Sequence, residues 1–310
     1  KVQYPAAGSV HPAGAMHGIG PKSTPSISNG KLYTLGIGSI LSCLDCETGR
    51  LVWRTDFADH FPKPAPSCGT SMSPLLIDGM CLVHVGVDRE GELIAVDPDS
   101  GERIWTYDGD GPGYGSPIIA TLRGKRQLVA PVSRFLVGLS LDGGSLLWRE
   151  PFPTSSSQNI LTPVRYGETL VVGGIGQITR ALELGDEGVD MKWQNTEAPL
   201  HMSSMTRAGD RIFGLSTRKK GQLFCMDAQS GKTIWTSEGD FAKHAAILQG
   251  GGCVIVLTGK GKLLFLDAES RDFAPLASYS VSKERAWAHP VIKGNRIVIK
   301  DETSLTCWEL

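Results

Sequence analysis

No apolar run in this 310-residue chain approaches the roughly 18 residues that a membrane-spanning helix needs. Nor does charge of one sign dominate. Lys and Arg together number 31 against 32 Asp and Glu, which leaves no broad positive field to attract DNA, RNA or an anionic membrane. No basic patch with interleaved aromatics is present, which argues against single-strand nucleic-acid binding. A Gly-x-Ser-x-Gly nucleophile elbow is absent, and the hydroxyl-rich run Thr154 to Ser157 reads as a connecting loop. The opening Lys1-Val2-Gln3-Tyr4-Pro5 lacks the apolar core of a signal peptide. The chain as it stands is therefore expected to be soluble, with removal of a leader ahead of Lys1 left open. What is abundant is glycine, at 38 residues, with 18 prolines spread along the whole length. That composition suits many short strands joined by tight turns rather than helices.

Seven cysteines include the spacing Cys43-x-x-Cys46, which in a redox protein sits at a helix N-terminus that lowers the thiol pKa. Here the segment reads as strand followed by turn. Cys43, Cys225 and Cys307 each precede by two residues an acidic residue that closes a strand (Asp45, Asp227, Glu309), where another repeat has Ala95. They are expected to be small buried strand residues.

That comparison rests on an internal repeat. The segment from Leu41 to Trp53 aligns with Leu93 to Trp105 and with Leu223 to Trp235, and in all three Asp precedes Gly by four residues and Gly precedes Trp by four more. Leu136 to Trp148 keeps the register with Ser140 in the Asp place. Thr179 to Trp193 has Glu183 there and an insertion around Gly185. A second mark precedes each unit: Pro25, Pro74, Pro117, Pro163 and Pro290, with Met205 and Ala246 in the same place between them. Successive marks are 41 to 49 residues apart, the length of a four-stranded propeller blade. Seven marks predict a single all-β domain over residues 1–310, a seven-bladed β-propeller of four-stranded antiparallel blades.

Within each unit Pro is tolerated at the start of a strand, where no ladder donor is needed. Asp-x-x-Ser/Thr-Gly is turn chemistry, Asp bonding local backbone and Gly accepting positive φ. The recurrent Trp is expected to be a packing anchor between blades. The seventh unit reaches Leu310 without its Trp strand, and Lys1 to Tyr4 is expected to supply it. Tyr4 precedes Pro25 by 21 residues, as Trp53 precedes Pro74. Closure of this kind removes exposed sheet edges. By similar counting Tyr279 is expected in the Trp place of the sixth blade.

The terminal Asp, the Ser/Thr-Gly and the Trp four residues on resemble the pyrroloquinoline-quinone (PQQ)-like repeat over essentially all 310 residues. Segments such as Thr34 to Asp45 and Gly115 to Gln127 are similar to PQQ-like repeat proteins of environmental bacteria. The repeat is shared by quinoprotein alcohol dehydrogenases and by the lipoprotein subunit of the bacterial outer-membrane barrel-assembly machinery, so the resemblance implies a fold without a reaction. Export to the periplasm or secretion is what it implies for location. The quinoprotein enzymes resemble longer, eight-bladed propellers with a disulfide between adjacent cysteines and a bound calcium. This chain has no Cys-Cys pair, one blade fewer, and no cluster of Glu, Asn and Asp at a shared blade position. No cofactor is expected, PQQ with calcium included.

In a propeller the connections from each Trp strand to the next mark gather on one face at the channel mouth. Just ahead of the marks stand Lys22, Thr70, Tyr114, Gln158, Asn159, His201, His244, Trp287 and His289, which with His17 of the first long connection are the candidate ligand-binding residues, with Ser23, Ser71 and Lys243 beside them. The connections 5–24 and 54–73 are 20 residues each, longer than the rest. They hold His11, His17, Lys22, His60, Lys63 and Cys68. His201, His244 and His289 precede their marks by four, two and one residues, which predicts different depths and no shared metal. Gly36-Ile37-Gly38 and Gly173 to Gly176 have no following helix and read as hairpin turns rather than phosphate loops. The expected role is a non-catalytic binding or scaffolding propeller for a protein, peptide or glycan. The alternative is an enzyme at the channel mouth, either a PQQ-type redox enzyme or a hydrolase or lyase. If Tyr4 is a buried blade anchor, Tyr4→Ala lowers unfolding free energy by about 3 kcal/mol in denaturant titration; an unchanged midpoint removes that assignment.

Overall fold

The computed structural model describes Ala15 and residues 20–57, 60–61, 65–155, 158–186 and 188–309. Its strands form seven antiparallel sheets, each a meander in which every strand pairs with the next. This is the seven-bladed all-β propeller expected from the repeat. The blades occupy 26–56, 75–109, 118–151, 164–195, 206–236, 245–280 and 291–309. Six have four strands and the seventh has three among the described residues. The strand expected from Lys1 to Tyr4 lies outside them. First strands begin directly after Pro25, Pro74, Pro117, Pro163, Met205 and Pro290, so each proline ends a connection without removing a ladder donor. Blades one to three make one compact unit, Lys1–Asn159, and blades four to seven a second, Ile160–Leu310.

Apolar residues meet between blades rather than at one centre. In the first unit, Tyr33, Leu41 and Cys43 interleave with Cys81, Val83 and Ile94 of the next blade. Leu93 and Ala95 then pack with Leu128, Val137 and Leu139. In the second unit Val171 and Ala181 meet Ile212 and Phe224, Phe213 and Cys225 meet Val254 and Leu264, and Ile255 and Leu263 meet Ile297 and Ile299. Inner strands are covered on both faces, which is why Ile40–Asp45 and Gln222–Asp227 are buried nearly throughout and read as continuous apolar runs rather than alternating ones.

The repeated Trp registers one blade on the next. Trp53 Nε1 donates to the carbonyl of Pro98 at 3.0 Å, Trp105 to Leu141 at 3.0 Å, Trp193 to Ala228 at 3.1 Å and Trp235 to Ser270 at 3.2 Å. Each acceptor lies in the turn that follows the third strand of the next blade. That turn is built by its Asp: Asp97 Oδ1 accepts from Ser100 N at 2.8 Å and Ser100 Oγ at 3.0 Å, and Asp227 Oδ1 from Ser230 N at 2.7 Å and Ser230 Oγ at 2.6 Å. Such bonds hold Asp45 and Asp97 below the usual carboxylate range. The glycine that ends the turn has positive φ, 77° at Gly101, 69° at Gly144 and 69° at Gly231. A Cβ there would also strike the incoming indole, at 2.7 Å for Gly101 on Trp53, 2.4 Å for Gly144 on Trp105 and 2.2 Å for Gly231 on Trp193. The Trp of the third blade differs, since Trp148 Nε1 donates to Gln127 Oε1 of its own blade at 2.5 Å.

Two expectations are corrected. In every other four-stranded blade the Trp faces the residue two before the acidic or Ser terminus, as Trp53 faces Cys43 and Trp235 faces Cys225. In the sixth blade that partner, Phe265, faces Ala277, while Tyr279 faces Leu263 and is 50% exposed. Counting back from the next mark assumed connections of equal length, and the true register places Tyr279 two residues beyond the anchor position. Its ring packs edge-on to Phe265 of its own blade at 6.2 Å. Cys43 and Cys225 are fully buried, as expected, but Cys307 is exposed. Leu305–Glu309 is the outermost described strand of its blade, so no fourth strand covers it among the described residues. Burial raises the Cys43 thiol and pushes Cys225 up to about 12, which keeps both protonated and inert at neutral pH.

The glycine that receives each indole is separable from ordinary turn glycine. Gly231→Ala and Gly294→Ala both place alanine at positive φ, 69° and 59°, but only the first meets a side chain. Gly294→Ala is expected to cost about 1 kcal/mol, and Gly231→Ala about 2 kcal/mol more through displacement of Trp193. Equal losses in denaturant titration would show that the Trp–Gly contact carries no registry.

Candidate functional site

Because each blade is a meander, the connection from strand four to the next blade leaves the same edge as the hairpin between strands two and three. The candidate residues therefore share an edge with hairpins that the repeat reading did not consider. Of the two long connections, His11, His17 and Lys63 lie outside the described residues.

In the first unit the connections lock onto one another. Cys68 N donates to Tyr114 Oη at 3.2 Å, Ser71 Oγ donates to the Tyr114 carbonyl at 3.2 Å, and Gln158 Nε2 lies 3.9 Å from Cys68 Sγ. The Asn159 carbonyl accepts from Tyr114 N at 2.8 Å and Gly115 N at 2.9 Å. Asn159 Nδ2 donates to Val132 O at 2.5 Å and Phe152 O at 3.1 Å, and Thr70 Oγ1 bonds Ser39 Oγ at 2.8 Å. Thr70 and Asn159 are buried and pin loops to the framework. Lys22, Tyr114 and Gln158 stay half-buried at the surface. Burial drives the Tyr114 phenol upward, and lowers Lys22 against the opposing pull of Cys68. His60 Nδ1 lies 2.8 Å from Arg103 Nη2, its ring edge-on to Phe57.

The connection between blades two and three starts from a polar anchor that the repeat reading missed. Asp110, 4% exposed in its side chain, takes Arg134 through Nη2 at 2.8 Å and Nε at 2.9 Å, with Arg134 N at 2.6 Å from its other oxygen. The Asp110 carbonyl accepts from Nε2 of the buried His84 at 3.1 Å. No repeat signal marks this pair, because Asp110 lies in a connection and Arg134 in a hairpin, where the repeat leaves the residue type open.

In the second unit His201 and Lys243 line one concavity, while His244 stacks on Trp287 at 4.8 Å and 28° with its Nε2 3.1 Å from the Trp287 carbonyl. His289 is exposed at the surface, and the protein packed near it lowers its pKa. The cavity holding His201 and Lys243 has a volume of about 680 Å³, inside the usual range for small-molecule pockets. Lys220, Asp240 and Lys260 complete its charged lining. Lys260 Nζ bonds Asp240 Oδ1 at 2.7 Å and the Asp240 carbonyl at 3.1 Å. His201 is half-buried, and burial followed by the charge of Lys243 lowers its pKa. Lys220 and Lys260 come from the strand two to three hairpins of blades five and six. The one hint in the sequence is the basic run Arg218-Lys219-Lys220, which interrupts an otherwise short hairpin. Among the described residues no three His, Cys, Asp or Glu side chains converge in a metal-ligand group.

Sheets keyed by Trp to the Asp-Gly turns of their neighbours, with polar residues gathered on the connections, define a PQQ-like repeat propeller. A family model described as "Outer membrane protein assembly factor BamB" matches residues 9–237 and 191–274, and the chain belongs to that family. Among curated proteins it is 32% identical over 89 residues to quinohemoprotein alcohol dehydrogenase ADH-IIG of Pseudomonas putida, and 29% identical over 87 residues to outer membrane protein assembly factor BamB of Kangiella koreensis. These alignments span 29% and 28% of this chain but only 12% and 19% of the relatives. In structure, BamB from Moraxella catarrhalis superposes with a TM-score of 0.67 at 15% identity, covering 93% of this chain and 83% of that one. The computationally designed Ika8 protein superposes at 0.57 and 9% identity over the whole of both chains. At such identities the likeness is one of fold.

Burial pulls His84 down to about 4 from an ordinary value of 6.5. Its folded pKa lies below its unfolded one, so the unfolded chain binds the extra proton first. The stability tied to neutral His84 is complete above pH 6.5 and is lost as pH falls toward 4, by roughly 3 kcal/mol. His84→Gln, which keeps a donor for the Asp110 carbonyl, is expected to flatten that slope in chemical denaturation between pH 6.5 and 4. A slope unchanged by the substitution would remove His84 as its source.

Proposed function

We propose that this chain is a non-catalytic scaffold whose connection-bearing edge docks a protein partner. The observation that carries the reading is family membership under a description that names an assembly factor, with the match running through residues 9–237 and 191–274. The distribution of chemistry supports it. Asp45, Asp97 and Asp227, which recur at one blade position, bond their own turns, so no repeated carboxylate remains as an acid or base. Lys22, Tyr114, Gln158 and His60 present polar and aromatic surface from rigid blades, an arrangement suited to recognition. No helix among the described residues is long and apolar enough to cross a membrane. The reading requires no cofactor.

The test is photo-crosslinking in the producing cell from a benzophenone amino acid placed at Lys22 or His60, against placement at Arg123 or Glu168 in strand one to two hairpins of the opposite edge. A discrete protein adduct from the first pair and none from the second is expected. Adducts from both edges alike, or from neither, would overturn the docking assignment. Purified protein titrated with PQQ and calcium is expected to show no absorbance change. Micromolar binding abolished by Trp287→Ala would replace the scaffold with a redox enzyme.

A further inference from the structure

The cavity between blades five and six has a chemistry that the scaffold reading does not use. Three ammonium groups, Lys220, Lys243 and Lys260, face one carboxylate, Asp240. The whole chain is balanced at 31 basic to 32 acidic residues, so this excess is local and does not follow from composition. Asp240 is engaged by Lys260 at 2.7 Å, and that bond holds its carboxyl below the usual range. Lys220 and Lys243 form no ion pair among the described residues, which leaves two positive charges on a concave wall beside the imidazole of His201.

The backbone that presents them is strained in a way the hairpins elsewhere are not. Eight non-glycine residues have positive φ among the described residues. Asn29, Asp78 and Arg123 each precede a glycine in a two-residue hairpin turn, and Ser39 closes another turn, conformations that tight hairpins demand. The remaining four are Lys219, Lys220, Asp240 and Ala242, at 48°, 62°, 66° and 76°, and three of these line the cavity. Two chain segments are pressed together to hold them. Asp240 N donates to Lys219 O at 2.9 Å and Phe241 N to Gly221 O at 3.0 Å. A Cβ on Gly221 would lie 1.8 Å from the Ala242 carbonyl, and one on Gly239 would lie 2.6 Å from Lys219 Cβ. Left-handed lysine and alanine cost about 1 kcal/mol or more each. Strain is thus concentrated at one cavity wall, where two glycines admit the close approach of the two segments.

We propose that this cavity binds a small dianion with charged oxygens, a dicarboxylate or a phosphate, between Lys220 and Lys243 with His201 as a further hydrogen-bond partner. Two unpaired ammonium groups set the charge of the ligand, and the concave volume favours a small molecule over a flat protein surface. A cation is excluded by the net positive wall. The test is independent of partner docking, because binding is read on the isolated protein.

The experiment is a calorimetric titration of the purified protein with succinate and, separately, with inorganic phosphate, against sodium chloride at equal ionic strength. His201 is followed by NMR in parallel. Saturable binding is expected, with the His201 pKa rising on saturation because a bound anion offsets the charge of Lys243. Lys220→Gln and Lys243→Gln are each expected to weaken binding roughly tenfold while leaving the melting temperature unchanged, and Lys31→Gln, a surface lysine of another blade, to leave it intact. Preference for one of the two probes assigns the acidic group. Heat matched by chloride, absence of saturation, or wild-type affinity in Lys243→Gln would overturn the proposal. A lowered melting temperature in both variants moves the test to His201 in the wild type, where an unshifted pKa at the highest concentration overturns it equally.

Discussion

The contact on which the rest of this structure depends is an indole ring lying on a glycine. A blade has two faces to cover, and its neighbour covers one of them only if the two sheets keep a fixed offset. Apolar side chains alone do not set that offset, because dispersion and burial are non-directional. Trp53, Trp105, Trp193 and Trp235 set it by donating to a single carbonyl in the turn of the next blade. Gly101, Gly144 and Gly231 admit the ring by having no Cβ. One turn therefore answers two demands: positive φ for its own chain reversal, and an open surface for its neighbour. The joint recurrence of Asp, Gly and Trp at constant spacing is the sequence trace of that coupling.

With registry and burial assigned to inner strands and Asp turns, the connections are released from structural duty to different degrees. In the first unit they are bound into the framework by Asn159, Thr70 and the Asp110–Arg134 pair, which fixes in place the polar and aromatic side chains that remain at the surface. In the second unit they stand apart enough to leave a cavity, and its wall holds backbone in left-handed conformations. The same blade plan thus yields a stapled edge in one unit and a charged hollow in the other.

This division also explains why family membership carries so little about chemistry. The features that recur along this chain are those that make one blade fit another, and they are satisfied by bonds within the Asp turns and from each Trp to the next blade. The residues that would distinguish a scaffold from an enzyme lie in connections and hairpins, where the repeat imposes no residue type.

Blade number, strand order, the Asp turns and most of the Trp anchors were legible in the amino-acid sequence, because each is a local requirement restated about every 44 residues, and repetition separates it from chance. His201, Lys243 and the other residues ahead of the marks were legible as candidates for the same reason, since they occupy positions the repeat leaves undetermined. The sequence did not disclose that Tyr279 misses the anchor position, that Cys307 is uncovered, or that Lys220, Asp240 and Lys260 join His201. Strand register depends on the lengths of connections that do not repeat. The convergence of hairpin and connection residues depends on antiparallel strands returning distant segments to one edge. Only the tertiary structure decides both, because proximity there is set by the pairing of strands and not by separation along the chain.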